Sequence, residues 1–160
     1  MENRIRAIAR EKVGIVKRGV EVVSAARRPE ARRQIVRAAG NEAKLIDRDF
    51  RLRPGRGGIE VRAGAERLGG LRLALEGPHQ RENAAVAVVA LFALRCRGVA
   101  VSDDAIRRGL ATVRWPGRLE RMRRGRVSWI LDAAHNEAGA VALGRALGPR
   151  RYHLVFGASA

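Results

Sequence analysis

A Trp115-Pro116-Gly117 corner separates two stretches of different residue pattern. Proline lacks a backbone N–H, and glycine adopts conformations that other residues avoid, so neither a helix nor a strand is expected to continue through this corner. We therefore predict two units, residues 1–115 and residues 116–160, that meet at a hinge near Pro116. Each unit has the pattern of part of an α/β domain, and α/β is the predicted fold class.

The first unit has helical patterns at both ends and short alternating runs between them. Residues 1–12, 29–39 and 83–97 have helical character, and a further helix is expected to begin after Ser102, a good N-cap residue. Residues 20–24 are predicted to form a short buried strand. Short runs separated by glycine-rich turns predict an antiparallel meander, and these runs are residues 44–46, 50–53, 59–63 and 71–75.

The second unit has two strand patterns, residues 118–122 and 127–131, then a helical pattern over 137–147 and a last strand pattern over 152–156. A strand, a helix and a strand with connections of this length predict a right-handed parallel crossover. Because the chain begins inside a helical pattern and stops just after a strand pattern, we expect a fragment of a longer protein or a miscalled reading frame.

The positive charge is large, with a net charge of +17 and an isoelectric point near 11.8. Arginines are scattered through nearly every segment, and aromatic residues suited to base stacking are only 4% of the chain. A solvated basic surface is therefore favoured over a nucleic-acid groove. Apolar runs are shorter than the roughly 20 residues that cross a bilayer, and no secretory signal is found, so we expect a cytoplasmic protein. Cys96 is the only cysteine and is expected to be buried.

The segment Asp132-Ala133-Ala134-His135-Asn136 follows an apolar strand pattern and precedes a helical one. Ligands of open α/β sheets gather at the carboxyl ends of parallel strands. Asp132 can accept hydrogen bonds from ribose hydroxyls, and a neutral His135 can donate to a carboxylate or carry a proton. The structural alternative is that Asp132 binds loop amides while Asn136 caps the following helix.

Other candidates lie beside the corner and near the long helix. Arg118 follows the corner directly and has the planar set of donors that suits a phosphate, although a solvated arginine is the alternative. His79, Gln80 and Asn83 lie just before or within the first turn of the long helix, where the side-chain amides can pair with the edge of a base or cap the helix. Lys12 has the pattern of an ordinary surface lysine, and no Gly-rich phosphate loop ending in Lys-Ser/Thr occurs in the 160 residues.

Four segments of this sequence occur in the order and with the spacing of a known family. They are Ile8-Ala9-Arg10-Glu11-Lys12-Val13-Gly14-Ile15-Val16-Lys17, Gly77-Pro78-His79-Gln80-Arg81-Glu82-Asn83-Ala84-Ala85, Trp115-Pro116-Gly117-Arg118-Leu119-Glu120 and Leu131-Asp132-Ala133-Ala134-His135-Asn136. Together they resemble the folylpolyglutamate and dihydrofolate synthases, relatives of the Mur ligases of cell-wall synthesis. The resemblance extends over nearly the whole chain.

This resemblance implies a fold and a reaction. Residues 1–115 are expected to be the end of a Mur-ligase-type central ATPase domain, without its phosphate loop, and residues 116–160 the start of a Rossmann-like C-terminal ligase domain. The implied enzyme uses ATP and Mg²⁺ to activate a folate or dihydropteroate carboxylate as an acyl phosphate. The amino group of L-glutamate then attacks it, and an amide and ADP result.

The resemblance also implies roles for individual residues. Lys12 matches a lysine that family members carry as a carbamate, which helps to hold a second Mg²⁺. Asn83 is expected to bind adenine, Arg118 the ATP phosphates and Asp132 the ribose. His135 is expected near the incoming glutamate or the nucleotide, while His79 and Gln80 receive no firm role.

The sequence departs from the family in ways that set further expectations. The phosphate loop and an upstream metal-binding pair of an acidic residue and a histidine are not in the chain, so we expect the isolated chain to be inactive. Val13 and Ala133 stand where Ala and Gly are common. We expect a monomer. The competing interpretations are a Mur-type ligase acting on a cell-wall precursor, a basic nucleic-acid-binding module and a noncatalytic remnant.

Overall fold

The computed structural model describes residues 2–157, with side chains from residue 4 onward, so Met1 and the expected continuation over residues 158–160 lie outside the described residues. The helices are α1 (Glu2–Lys12), α2 (Pro29–Ala39), α3 (Pro78–Cys96), α4 (Asp103–Thr112) and α5 (Glu137–Leu147). The strands are β1 (Val22–Ser24), β2 (Ala43–Leu45), β3 (Phe50–Gly55), β4 (Gly58–Ala63), β5 (Glu66–Leu71), β6 (Glu120–Arg124) and β7 (Val127–Leu131). Within residues 2–157, no helix is both long and apolar enough to cross a membrane.

Strands β1 and β2 form a parallel pair in which Val22 lies opposite Ala43. The sequence placed the region of β2 in the antiparallel meander, and that placement is wrong. Helix α2 connects the two strands and returns the chain to the same end, so β2 runs parallel to β1. Ile35 of α2 packs with Ala43 and Leu45 of β2 in a small core cluster, which we call the α2 cluster.

The predicted meander is confirmed as the antiparallel sheet β3-β4-β5. A turn at Arg56 and Gly57 joins β3 to β4, and Gly57 and the first residue of β4, Gly58, have positive φ angles, 77° and 146°. The last strand ends at Leu71, so the expected strand over residues 71–75 is wrong. After Leu71 the chain leaves the sheet, and the backbone N–H of Ala74 donates to the carbonyl of Leu110 in α4.

Helix α3 begins at Pro78, five residues before its predicted start, because Gly77 with a φ of 110° turns the chain into the helix and Pro78 suits the first turn. Its apolar side packs on the meander and α4 in the larger core cluster, which we call the α3 cluster. The cluster includes Phe50, Val61, Leu68, Leu71, Val88 and Phe92. Cys96, expected to be buried, is exposed at the end of α3.

Beyond the corner, β6 and β7 form an antiparallel hairpin, with Met122 opposite Trp129. Asn136 caps α5, since its Oδ1 accepts a 2.8 Å hydrogen bond from the N–H of Gly139. The predicted strand over 152–156, and with it the parallel crossover, is absent from residues 116–157. A strand requires a hydrogen-bonded neighbour, whereas Leu154 and Val155 are 81% and 88% exposed and pair with no strand of the described chain.

Candidate functional site

An apolar cleft of about 580 Å³ lies between α3, α4, the segment after β5 and the residues around the corner. We call it the α3–α4 cleft. Most of its lining is aliphatic, and Trp115, which is 63% exposed, contributes an indole. The polar side chains that line it are Gln80, Asn83 and Arg118. A mostly apolar cleft with a few polar groups is the usual form of a small-molecule site.

The start of α3 brings Gln80 and Asn83 to the cleft because residues three apart lie on the same helix face. The helix-cap alternative for these residues is wrong, since Gly77 is the N-cap residue and no side chain caps the helix. Instead the side chains bond to one another. Asn83 Nδ2 donates to Gln80 Oε1 at 3.1 Å, and Gln80 Nε2 lies 3.1 Å from His79 Nε2.

Arg118 is held at the cleft by a hydrogen-bonded loop. The N–H of Gly117 donates to Glu120 Oε2 at 2.9 Å, and the N–H of Ala133 donates to the carbonyl of Gly117 at 2.8 Å. Leu119, the next residue, is 5% exposed and has a positive φ of 49°. The corner therefore points Arg118 toward the cleft while Leu119 is buried behind it.

Asp132 supports the same loop from the end of β7. Its Oδ2 accepts from the N–H of Leu119 and its Oδ1 from the N–H of Ala134, both at 2.9 Å. Asp132 does not line the α3–α4 cleft, so the loop-amide alternative describes its observed contacts. His135 is exposed, and its Nδ1 lies 2.9 Å from the carbonyl oxygen of Ala133.

Lys12 lies apart from these residues. It lines a second apolar cleft, of about 610 Å³, between α1, β1 and α2. Its side chain is 76% exposed, and its Nζ lies 3.8 Å from a carboxylate oxygen of Glu11. Among residues 2–157, no group of three or more His, Cys, Asp or Glu side chains is arranged to hold a metal ion.

Two groups of ion pairs outside the lining of the cleft have no signal in the sequence. Arg121 donates to both carboxylate oxygens of Glu76, at 3.1 and 2.8 Å, and so connects the two sides of the corner. These hydrogen bonds lower the pKa of Glu76 and raise the pKa of Arg121. The partners are 45 residues apart, and in a chain rich in arginine such a pair cannot be selected by composition.

The second network is centred on Arg27. Its guanidinium donates to Glu82, the residue before Asn83, at 3.2 and 3.0 Å and also contacts Asp47. The hydrogen bond with Glu82 is the main reason that the pKa of Arg27 is raised. This contact fixes the start of α3 against the segment between β1 and α2, beside the amides that reach the cleft.

No family model matches the chain. The dihydrofolate synthase/folylpolyglutamate synthase of Bacillus subtilis is 35% identical over 170 aligned residues, which cover 98% of this chain and 39% of the relative. The UDP-N-acetylmuramoylalanine–D-glutamate ligase of Sphingopyxis alaskensis is 37% identical over 93 residues, covering 54% of this chain and 20% of the relative. A solved FPGS–AMPPCP–folate complex matches with a TM-score of 0.77 and 31% identity, covering 89% of this chain and 37% of that chain.

The mixed α/β fold, with its small antiparallel sheets and interhelical cleft, therefore has Mur-ligase architecture, as the sequence predicted. Within that class the chain belongs to the folylpolyglutamate and dihydrofolate synthase family, which confirms the resemblance carried by the four motifs. The chain spans about two-fifths of the length of the Bacillus subtilis relative.

Proposed function

We propose that this chain is part of an ATP-dependent ligase that joins L-glutamate to the carboxylate of a folate or dihydropteroate. In this reaction the carboxylate takes the terminal phosphoryl group of ATP, and ADP leaves. The amine of glutamate then displaces phosphate and forms the amide. The proposal is carried by one observation: Asn83 and Arg118, from opposite sides of the corner, line a single apolar cleft.

The cleft fits the base of a nucleotide. A purine ring is flat and largely apolar on its faces, so the aliphatic walls and Trp115 can cover it. The amide of Asn83 offers an acceptor beside a donor, the complement of the edge of adenine. We therefore assign base binding to Asn83.

Arg118 suits the phosphates of the same nucleotide. It is exposed, lines the cleft and sits on a loop tied by the hydrogen bonds of Glu120 and Asp132. A guanidinium carried on such a loop can bind phosphate oxygens through two parallel hydrogen bonds and offset charge that develops during phosphoryl transfer. The role of Arg118 is to orient the phosphates and stabilise that charge.

Asp132, His135 and Lys12 lie outside the lining of the α3–α4 cleft, and their proposed roles come from the family resemblance. Each oxygen of Asp132 that accepts a loop amide keeps a second lone pair, so a ribose hydroxyl can still bind there. His135, exposed on the same loop, is proposed to lie near the glutamate or nucleotide. Lys12 is proposed as the carbamate-bearing lysine, and its exposed ammonium group leaves room for that modification.

Mg²⁺ accompanies ATP in the proposal, but the side chains present do not fit a metal site. Residues 2–157 contain no cluster of three or more His, Cys, Asp or Glu side chains arranged to hold a metal ion, and the ion pair of Lys12 within this part of the chain is with one carboxylate, that of Glu11. We therefore assign no step to Mg²⁺.

We also propose that residues 1–115 are the later part of a central ATP-binding domain and residues 116–160 the first part of a C-terminal ligase domain.

A cell-wall ligase is the second candidate, because the Sphingopyxis alaskensis ligase matches 54% of this chain. A folate ligase is the favoured interpretation because the match to the Bacillus subtilis protein covers 98% of this chain. A nucleic-acid partner is disfavoured, since aromatic residues suited to base stacking are only 4% of the chain. A cytoplasmic monomer is the state proposed with this activity.

The proposal is tested by titrating the 160-residue chain with ATP and with adenosine. The chain has two tryptophans, and Trp115 lines the cleft. In a Trp129→Phe chain Trp115 is the single tryptophan, so a change in its fluorescence measures binding in the cleft. We expect Asn83→Ala to weaken ATP and adenosine alike, and Arg118→Ala to weaken ATP while leaving adenosine unchanged. Arg126→Ala, an exposed arginine on the hairpin, is the control. Equal ATP affinity in the Trp129→Phe parent and in its Asn83→Ala, Arg118→Ala and Arg126→Ala derivatives would contradict the proposal.

Catalysis is a separate measurement. We expect the isolated 160 residues to form no folate-glutamate amide, because the sequence contains no phosphate loop. Mixing the chain with ATP, Mg²⁺, L-glutamate and either dihydropteroate or tetrahydrofolate, and following ADP release, checks this. Turnover would show that the chain holds a phosphate site that its sequence does not reveal.

A further inference from the structure

A buried amide lies behind the residue proposed to bind the base. Gln80 is 7% exposed and is the only polar residue buried to this degree within residues 4–157. Buried polar groups are costly unless hydrogen bonds satisfy them. Gln80 meets this requirement through two neighbours, with its Nε2 directed to His79 Nε2 and its Oε1 to Asn83 Nδ2, each at 3.1 Å.

The orientation of the Gln80 amide sets the direction of the chain of hydrogen bonds. An amide nitrogen only donates and an amide oxygen only accepts. With the Gln80 amide nitrogen directed at it, His79 Nε2 is the acceptor, and the ring then carries its proton on Nδ1. That Nδ1 is buried and has no partner in the described chain. The ring lies against Gly77 and occupies the space that a side chain there would fill, since a Cβ would lie 2.8 Å from His79 Cε1.

The hydrogen bond from Asn83 to Gln80 determines which atoms of the Asn83 amide remain available in the cleft. One hydrogen of its Nδ2 is used by Gln80, and a second hydrogen and Oδ1 remain available. Without Gln80, the amide of Asn83 would be free to rotate by half a turn and exchange its donor and acceptor. With Gln80 in place, the order of donor and acceptor presented to a ligand is fixed.

We propose that Gln80 and His79 are positioning residues. They fix the orientation of the Asn83 side-chain amide, and the cleft therefore selects adenine over hypoxanthine. The inference rests on the proposed nucleotide site. Adenine has a donor at position 6 and an acceptor at position 1, whereas hypoxanthine has an acceptor at position 6 and a donor at position 1. An amide held in one orientation pairs with only one of these two bases, whereas an amide that can rotate pairs with both.

The test compares ATP with inosine triphosphate, which differs from ATP only at this edge of the base. Both are titrated against the Trp129→Phe chain and its Gln80→Met, Gln80→Glu and Arg81→Ala derivatives. We expect the parent to bind ATP at least about 10-fold more tightly, because a bidentate pair discriminates between bases by about that factor or more. In Gln80→Met the two affinities should become nearly equal, because the freed amide can pair with either base.

Two variants separate positioning from simple packing. Gln80→Glu keeps an acceptor for Asn83 Nδ2 in either orientation, so it should keep the preference for ATP. Arg81→Ala removes an exposed side chain from the same turn and should leave the ratio unchanged. Thermal unfolding of each variant is measured in parallel. If Gln80→Met does not fold, His79→Phe removes the other end of the hydrogen-bond chain and should give the same loss of selectivity.

The outcomes distinguish this inference from the proposed function. Binding of ATP with an undiminished ratio in Gln80→Met or His79→Phe would overturn the positioning role and leave the nucleotide site standing. A parent chain that prefers inosine triphosphate would also overturn it, because the hydrogen-bond chain would then run in the other direction. A parent chain that binds neither nucleotide would overturn both proposals.

Discussion

Asp132 Oδ2 accepts a 2.9 Å hydrogen bond from the backbone N–H of Leu119, the residue next to Arg118. The end of β7 thereby fixes the loop that carries the proposed phosphate-binding side chain. Leu119 is buried, so the N–H has little access to water if Asp132 is removed. The loop that follows the corner is accordingly a rigid element, although it has no regular secondary structure.

Asp132→Ala is expected to destabilise this loop by about 1–3 kcal/mol, because two backbone N–H groups lose their acceptor. Asp132→Asn retains one acceptor oxygen and should lose less. Chemical unfolding and ATP titration measure the two effects. An Asp132→Ala chain as stable as the parent would show that the loop amides find other partners.

The ion pair between Glu76 and Arg121 predicts a dependence of stability on pH. Arg121 lowers the pKa of Glu76 below its ordinary value of 4.5. A lowered native pKa stabilises the folded state above 4.5, and this contribution is lost as the pH falls through the native pKa. The pair is half exposed, so we expect only about 0.2–1 kcal/mol.

The measurement is the difference in unfolding free energy between the parent and Glu76→Gln at several pH values. The difference should be present at neutral pH and disappear in acid, and it should shrink in high salt. A difference that grows as the pH falls would contradict the assignment.

The turn between β3 and β4 provides a matched pair of glycines. Gly57 and Gly58 both have positive φ angles, but a Cβ at Gly57 meets nothing within 4 Å, whereas a Cβ at Gly58 collides with the carbonyl of Leu71. Gly57→Ala should cost about 1 kcal/mol from backbone strain alone. Gly58→Ala should cost several times more, since β4 must move away from β5. Equal losses in thermal unfolding would show that the sheet absorbs the added atom.

Asp47 has a φ of 64° and contacts Arg27, so an ion pair accompanies a backbone conformation that favours glycine. In an Arg27→Ala chain, Asp47→Gly should stabilise by about 0.5–1 kcal/mol because strain is relieved and no ion pair remains to be lost. In the parent, the same change should be close to neutral. A double-mutant cycle by chemical unfolding measures the difference, and equal effects in both backgrounds would show that the contact contributes nothing.

Several parts of the fold follow from local chemistry and were predicted from it. Ser102 caps α4 by accepting from the N–H of Ala105, and Asn136 caps α5, as their positions before helical patterns indicate. The meander follows from alternating runs between glycine-rich turns. These features depend on neighbours within a few residues, which is the range over which a single sequence is informative.

The errors concern partners that are distant in the chain. Residues 43–45 have the same alternating pattern as the meander strands, yet they pair with β1 across α2, and nothing local distinguishes the two outcomes. Residues 152–156 have a strand pattern but no partner within the described chain. For the site, the motifs selected Asn83 and Arg118, which meet in one cleft. Lys12 and Asp132 carry the same family signal, and the structure places neither of them in the lining.

The division of the buried side chains into the α2 cluster and the α3 cluster has a consequence for how the molecule opens. Amide hydrogens of α2 and β2 depend on three buried residues, while those of α3 and the meander depend on a much larger group. Exchange with solvent should therefore proceed first at the amino-terminal end, through openings that leave the floor of the α3–α4 cleft folded.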